Sequence, residues 1–286
     1  MFSTTFLLKK SSLHIIFILV LFSVLASCTV ERKLANDFIY IKDSLSVLII
    51  PPDQIFKTNV KTWEIEGFDE MEAWEQESKL FDSSLFIKDV NDSIFFERYF
   101  NSLQAGLWEF GLNVFYEDQI IDFMAVNTPA YQVAVAQLEI EEDIFPYRAE
   151  EVFDDTVAYY EDFYLNNVNI NNWYEITKLN DPLAVNNLLY ASHFVMDALE
   201  GRFVNNVFTG EVKFKYDLTP MDVDQIYQLA EILGEKYAGY IFDYMLNEYV
   251  YRNIGNGIRP KSYFHYDKQT KALYPAGDDR FIFMEN

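Results

Sequence analysis

Apart from His14 in the N-terminal apolar run, the side chains able to do acid–base chemistry are two histidines and a dense set of carboxylates. His193 lies in the strand-like run Tyr190–Met196, and His265 sits between Phe264 and Tyr266. Neither stands in a His-Glu-x-x-His arrangement, and the chain also lacks Gly-x-Ser-x-Gly, Gly-x-x-x-x-Gly-Lys and Gly-x-Gly-x-x-Gly. Glu139, Glu141, Glu142 and Asp143 crowd together and Asp154-Asp155 follow, but the Asp-x-Asp-x-Asp-Gly spacing of a calcium loop is absent. These acids read as a solvated edge that discourages sheet-to-sheet aggregation. No catalytic residue, metal or cofactor is expected from these patterns.

Aromatic rings are the other chemically useful groups, since a ring face can stack on a sugar. The chain has Trp63, Trp74, Trp108 and Trp173. Trp108 falls at the end of an amphipathic run and reads as core. Trp173 follows Asn166, Asn167, Asn169, Asn171 and Asn172 and reads as the exposed ring. Asn171, Asn172 and Trp173 are therefore the candidate ligand-binding residues, with amides for sugar hydroxyls and a ring for the sugar face. The same residues suit a plain hairpin loop equally well.

Cys28 is the sole cysteine, preceded by Lys9-Lys10, an apolar run from Leu13 to Leu25, and the small residues Ala26 and Ser27. That order matches a charged n-region, an h-region and a cleavage zone. The apolar run is too short to span a bilayer, which takes about 20 residues. Leu25-Ala26-Ser27-Cys28 resembles the lipobox of bacterial lipoproteins. The resemblance covers the first 28 residues and implies cleavage between Ser27 and Cys28 and a diacylglycerol on the Cys28 thiol. Thr29 in place of aspartate implies the outer membrane, and the lack of an acidic run after Cys28 implies its periplasmic face. The aromatic, Asn-rich and acidic composition is similar to that of Bacteroidota proteins.

The chain carries 22 Lys+Arg against 45 Asp+Glu; loss of residues 1–27 removes two lysines and no acid, leaving a net charge of −25. Phosphate backbones and anionic headgroups repel such a chain, so nucleic acid is excluded as a partner and the lipid must do the membrane holding. With 50% hydrophobic residues, including 20 Tyr and 26 Phe, it can bury a sizeable core.

The elements that must position these groups are legible in part. Residues 29–43 read as a polar tether with a helical turn around Leu34–Tyr40. Leu45–Ile50, ended by Pro51-Pro52, reads as a central strand. Helical spacing follows over 68–86 and 93–110, with Gly111 as a stop, and Leu112–Tyr116 resumes as strand, suggesting a βαβ-like unit. A strand from Tyr131 to Ile140 comes next. Strand-like stretches at 154–165, 167–178 and 186–197 are separated by breaks at Asn166-Asn167 and Asn180-Asp181-Pro182. Val212, Phe214 and Tyr216 alternate with polar residues. A long helix starts at Pro220 with Thr219 as N-cap. A hairpin at 263–274 and a strand at 281–284 close the chain.

The expected fold class is α+β: a largely antiparallel sheet with an N-terminal βαβ-like unit and a long C-terminal helix packed on one face. The expected organisation is a signal peptide over 1–27, a lipidated tether over 28–43 and a single domain over 44–286. The strand-helix-strand order around Val47 and Leu112 resembles, in element order alone, the small α+β domains of periplasmic assembly lipoproteins such as activators of penicillin-binding proteins. The leading expectation is a non-enzymatic envelope lipoprotein that binds or positions another envelope protein. A glycan-binding lipoprotein of a nutrient-uptake system is the alternative, and a lipid-anchored hydrolase with a dispersed site is the third reading.

Overall fold

The computed structural model describes residues 29–179, 187–255, 259–276 and 280–284. Ser27, Cys28 and the break expected at Asn180-Asp181-Pro182 lie outside the described residues. In chain order the elements are α1 (Thr29–Ile41), β1 (Ser46–Ile50), β2 (Phe56–Asn59), α2 (Ala73–Ser83), α3 (Asp92–Glu109), β3 (Asn113–Phe115), α4 (Ile120–Met124), β4 (Ala130–Phe153) and β5 (Thr156–Lys178). They continue with β6 (Leu188–Met196), β7 (Ala198–Asn205), β8 (Val212–Thr219), α5 (Val223–Asn253), β9 (Phe264–Asp267), β10 (Ala272–Pro275) and β11 (Ile282–Met284). The described residues form two compact units: one within 45–238 together with 280–284, the other from 29–44 and the described part of 239–276.

The larger unit is built on one sheet, in the order β11-β6-β5-β4-β1-β3, with β2 also on β4. The fold is α+β, but the sheet is mixed rather than largely antiparallel. β1 is parallel to both β3 and β4, and β2 is parallel to β4, while β4–β5, β5–β6 and β6–β11 are antiparallel. The helices between β1 and β3 bring the chain back to the starting end of the sheet, which makes the returning strand parallel.

One face of this sheet packs under helices. Val133, Val135, Leu138 and Ile140 of β4 and Val168, Ile170, Tyr174 and Ile176 of β5 are buried there. α3 contributes Phe95, Tyr99, Leu103 and Leu107, which recur at four-residue steps and are wholly buried. The part of α5 in this unit contributes Ile226, Ala230, Leu233 and Tyr237. The two helices approach closely at glycines. A Cβ on Gly234 would lie 2.3 Å from the Tyr99 carbonyl oxygen, and one on Gly106 would lie 2.6 Å from Ala238 Cβ.

Asp222, not Thr219, caps α5. Its carboxylate accepts from Gln225 N at 3.0 Å while the Gln225 side chain accepts from Asp222 N at 2.9 Å. This reciprocal box satisfies two backbone donors at once, which Thr219 and Pro220 do not offer. For α3, Asn91 accepts from Ser93 N and Ile94 N.

The Asn-rich stretch does not break the strand. β4 and β5 run unbroken for 24 and 23 residues. Asn166 continues the ladder because its backbone and side-chain N–H groups both donate to the buried Asp197 carboxylate. Asp154 and Asp155 join the two strands with φ of 46° and 60°. Two left-handed residues make the turn whose twist suits a two-residue hairpin, and aspartate tolerates that region better than most residues.

In the smaller unit, residues 29–41 form a helix where the sequence reads as a tether. Ala35 and Phe38 of α1 are wholly buried, and the Phe38 ring meets Phe242 and Tyr249. The Glu31 carboxylate accepts from Lys261 N at 2.9 Å. β9 and β10 form the expected hairpin, tied to α5 by Asn247, which donates to Phe264 O and accepts from Phe264 N, both at 2.7 Å.

Candidate functional site

The second face of the large sheet is not covered by those helices, and it displays the expected Asn-rich segment. β5 alternates, so Asn167, Asn169, Asn171 and Trp173 lie on this second face while Asn172 points into the core, but Asn167 and Asn171 are buried there, at 4% and 6% exposure, and Asn171 is not the exposed ligand-binding amide expected. Asn171 and Trp173 are thus brought together and Asn172 is separated from them. Asn171 donates to Glu139, which also accepts from Thr58, and Asn171 accepts from Tyr190 OH. Asn169 donates to Glu141 and accepts from Asn167. The row is a cross-strand polar zipper whose members largely satisfy one another. Burial pushes the Glu141 carboxyl up, with Glu139 and Asp143 adding to the rise and Asn169 opposing it.

Trp173 is half-buried rather than the most exposed tryptophan, its ring 5.0 Å from Tyr190. Trp108, expected in the core, is 54% exposed. It lies on the face of α3 opposite the Leu103–Leu107 stripe.

The acidic cluster is not uniformly solvated either. Glu139, Glu141 and Asp143 lie on the open face, but Glu142 is wholly buried. It pairs with the equally buried Lys61 at 2.7 Å and accepts from the backbone N–H groups of Leu85, Phe86 and Ile87. Burial alone would raise this carboxyl; the Leu85 N–H, Lys61 and the other two N–H groups outweigh it and hold it below its ordinary value.

Of the histidines, His193 faces the core, with Nδ1 3.0 Å from Tyr237 OH. Around it, Tyr99 OH donates to Asn172 at 2.8 Å and touches Tyr174 OH. Burial and the neighbouring Tyr174 and Tyr237 hydroxyls hold Tyr99 well above the usual phenol range, so its hydroxyl stays a donor within a polar seam under α3 and α5. In the smaller unit, His265 Nδ1 lies 2.8 Å from the buried Asp243, which also accepts from Tyr266 N. Among the described residues, no group of three His, Cys, Asp or Glu is placed to hold a metal.

The feature that the sequence reading misses is an arm. β6 pairs with β5 only over Asn167–Glu175, and β2 pairs with β4 only over Glu139–Glu142. From Ile144 and Asn166 outward, β4 and β5 continue as a hairpin of their own, about 33 Å long at roughly 3.3 Å per residue. A two-stranded hairpin is marginal in water. The β7–β8 hairpin supplies a second layer: Phe203 meets Tyr159, and Phe214 and Tyr216 meet Phe163 with ring centroids 5.4 and 5.0 Å apart.

The root of the arm is pinned by Asp197, which joins β6 to β7. Its buried carboxylate accepts from Asn166 N, Asn166 Nδ2 and Met221 N. Beyond this root the surface is rich in exposed rings and aliphatic side chains. Val207 and Phe208 at the β7–β8 turn are 84% and 96% exposed, and Tyr160 and Tyr164 are also exposed. Arg148 holds one outer face in order, bonding Asp162 through two nitrogens and lying 4.5 Å from the Tyr160 ring centroid.

Between the hairpins lies a cleft of about 470 Å³, lined along β4 by Tyr147, Ala149 and Glu151 and along β7 and β8 by Leu199, Gly201, Phe203 and Phe214, with Glu150, Glu200 and Arg202 also contributing to its lining. Gly201 shapes it. A Cβ there would lie 2.4 Å from the Phe214 ring, so only glycine lets that ring rest on the β7 backbone. The sequence signals for this region are the alternation of Phe203, Phe214 and Tyr216 and the apolar pair Val207-Phe208 inside a polar turn.

No family model and no curated protein matches the chain. Among solved structures, one from Helicobacter pylori, described as a homolog of a neuraminyllactose-binding hemagglutinin, is similar over 72% of this chain and 89% of its own, at 11% identity and a TM-score of 0.28. A likeness of that order carries no argument about fold or ligand.

Proposed function

We propose that this chain is a non-enzymatic envelope lipoprotein that binds another envelope protein through its two-layered β arm. The observation that carries the reading is the density of exposed apolar side chains on the arm, with Phe208 almost wholly exposed at its β7–β8 turn. Large exposed apolar patches on folded domains mark interaction sites, and binding energy concentrates in a few aromatic anchors. The test is copurification from gently solubilised membranes. The native protein returns a stoichiometric protein partner, and F208S/Y160S/Y164S loses it; absence of any stoichiometric partner from the native protein contradicts the reading.

The anchor belongs to the same proposal. Lipid on Cys28 places the chain at the outer membrane, facing the periplasm, and several acyl chains at about 0.8 kcal/mol per buried CH₂ make the attachment almost irreversible. Cys28→Ser then accumulates as an uncut, unlipidated precursor, and normal maturation of that variant contradicts the assignment.

A second reading rests on Trp173. Its pairing with Tyr190 on the open face, beside the exposed Ser192, supports a glycan-binding surface. On a glycan array this reading expects saccharide binding that Trp173→Ala abolishes; no binding by the native protein removes it.

A further inference from the structure

The polar row on the second face of the large sheet ends in an acceptor that no side chain satisfies. Asn167 is 4% exposed, and among the described residues its Oδ1 is buried without a hydrogen-bond partner. The row fixes which atom that is. Glu141 is a carboxylate and takes the Asn169 amide N–H at 3.0 Å, so Asn169 turns its own oxygen to Asn167. Asn167 must answer with Nδ2, also at 3.0 Å, which leaves Oδ1 over. A buried acceptor of this kind calls for a donor or a cation, because nothing else returns its lost hydration.

The neighbour across the ladder is another acceptor. Asp143 pairs directly with Asn167, which puts their Cβ atoms about 4.5–5.5 Å apart on one face. Asp143 Oδ1 takes the Ile144 N–H at 2.7 Å, leaving Oδ2 for another ligand. Glu141, two residues earlier on the same face, commits only Oε1, to Asn169. Among the described residues neither carboxylate has an ion pair. Above them Phe145 of β4 and Phe194 of β6 reach across β5 and stack, with centroids 5.9 Å apart. Their partners on β5 are Leu165 and Asn169, so the stack crosses that strand at Asn167. Rings in that place lower the local dielectric and strengthen any charge interaction beneath them.

We propose that Asn167 Oδ1 and the carboxylates of Asp143 and Glu141 bind a calcium ion at the root of the arm. The donors are two charged oxygens and one neutral carbonyl, a set for hard cations rather than for zinc or copper. Calcium accepts irregular geometry, whereas magnesium demands a near-ideal octahedron that two fixed strands do not offer. Three protein ligands leave the other positions to water, so the affinity belongs with the weaker calcium modules, at a Kd of about 10⁻⁴–10⁻³ M. The ion clips β4 to β5 one residue from Asn166, which Asp197 pins, and so stiffens the arm where it leaves the sheet. This site is independent of the docking reading.

The test is calorimetric titration of calcium chloride into the full-length protein in mild detergent, stripped with chelator and held at physiological ionic strength. One calcium ion per chain is expected to bind, about tenfold or more tightly than magnesium, and to raise the melting temperature. Asp143→Asn keeps the side-chain shape and the Ile144 bond and is expected to lower the calcium affinity about tenfold or more. Asn167→Leu removes the unpaired oxygen and no charge, and calcium is expected to leave its melting temperature unmoved. The control E66Q/E70Q/E72Q, which removes three exposed acids elsewhere, is expected to stay within about twofold of the native affinity. Failure of calcium to bind the native chain, equal affinity for magnesium, unchanged calcium binding in the two site variants, or an equal loss in the control overturns the proposal.

Discussion

Glu142 and Lys61 form an ion pair of 2.7 Å in which neither side chain has any exposed surface. The pair closes the segment between β2 and α3 onto β4, because the same carboxylate takes the N–H groups of Leu85, Phe86 and Ile87. A buried pair of this kind stabilises only while both charges and all donors are matched.

Removing either partner should therefore cost unequally. Glu142→Gln leaves the buried Lys61 with only the partly exposed Glu64, 3.6 Å away, as counter-charge and weakens three backbone bonds, for an expected loss of about 3 kcal/mol. Lys61→Met leaves the three N–H donors in place and should cost less. Urea unfolding of the two variants measures the difference.

The same pair predicts a pH dependence. The Glu142 carboxyl is lowered in the folded chain from its ordinary value of 4.5. Its contribution is therefore fully present above pH 4.5 and is lost as pH falls below that value through the folded one. Stability of the native chain should drop over that window, and the Glu142→Gln profile should be flatter there. Parallel profiles in chemical denaturation would contradict this.

Gly234→Ala tests the crossing of α3 and α5. Alanine is the better helix former by about 1 kcal/mol, but the new Cβ would lie 2.3 Å from Tyr99 O and 2.8 Å from Leu103 N. Backbone cannot swing aside as a side chain can, so the helices must separate, at a net cost of about 1–3 kcal/mol. Thermal unfolding reads the sign directly: a raised melting temperature would show that the crossing is looser than described.

Asp197→Ala should loosen the root of the arm. It strips three N–H donors of a buried acceptor, for an expected loss of about 3 kcal/mol. Hydrogen exchange should accelerate first at Asn166, Met221 and along β7–β8, before the β1–β4 ladder. Uniform acceleration across the sheet would mean that the arm has no separate root.

Much of the fold is legible in the sequence because most elements carry a single clear period. β1, α3, α5, the β9–β10 hairpin and β11 all fall within a few residues of where apolar spacing puts them. The failures have physical causes. The register irregularity between Val135 and Gln137 shifts the inward face of β4 from odd to even residues, so Glu142 enters the core while Glu139 and Glu141 turn outward. No count of acids along the chain reveals that shift. Asn166 and Asn167 have the composition of a turn, yet Asp197 accepts from the Asn166 amide across the sheet and Asn169, two residues on along the same strand, accepts from the Asn167 amide. Asp197 lies 31 residues from Asn166, beyond the reach of local propensity. The candidate site was legible only as an excess of aromatic residues. That Trp173 and Asn171 share a face follows from strand alternation, but the arm depends on where β6 and β2 stop pairing, which is a tertiary matter.

We propose that a protein partner docks on the arm. Site-specific photocrosslinking in living cells tests it most directly, with benzoylphenylalanine placed singly at Phe208, at Tyr160 and, as a control away from the arm, at the 73% exposed Trp74. One discrete protein adduct of the same mass is expected from Phe208 and Tyr160 and none from Trp74. Adducts from Trp74 alone, or none from either arm position, would contradict it.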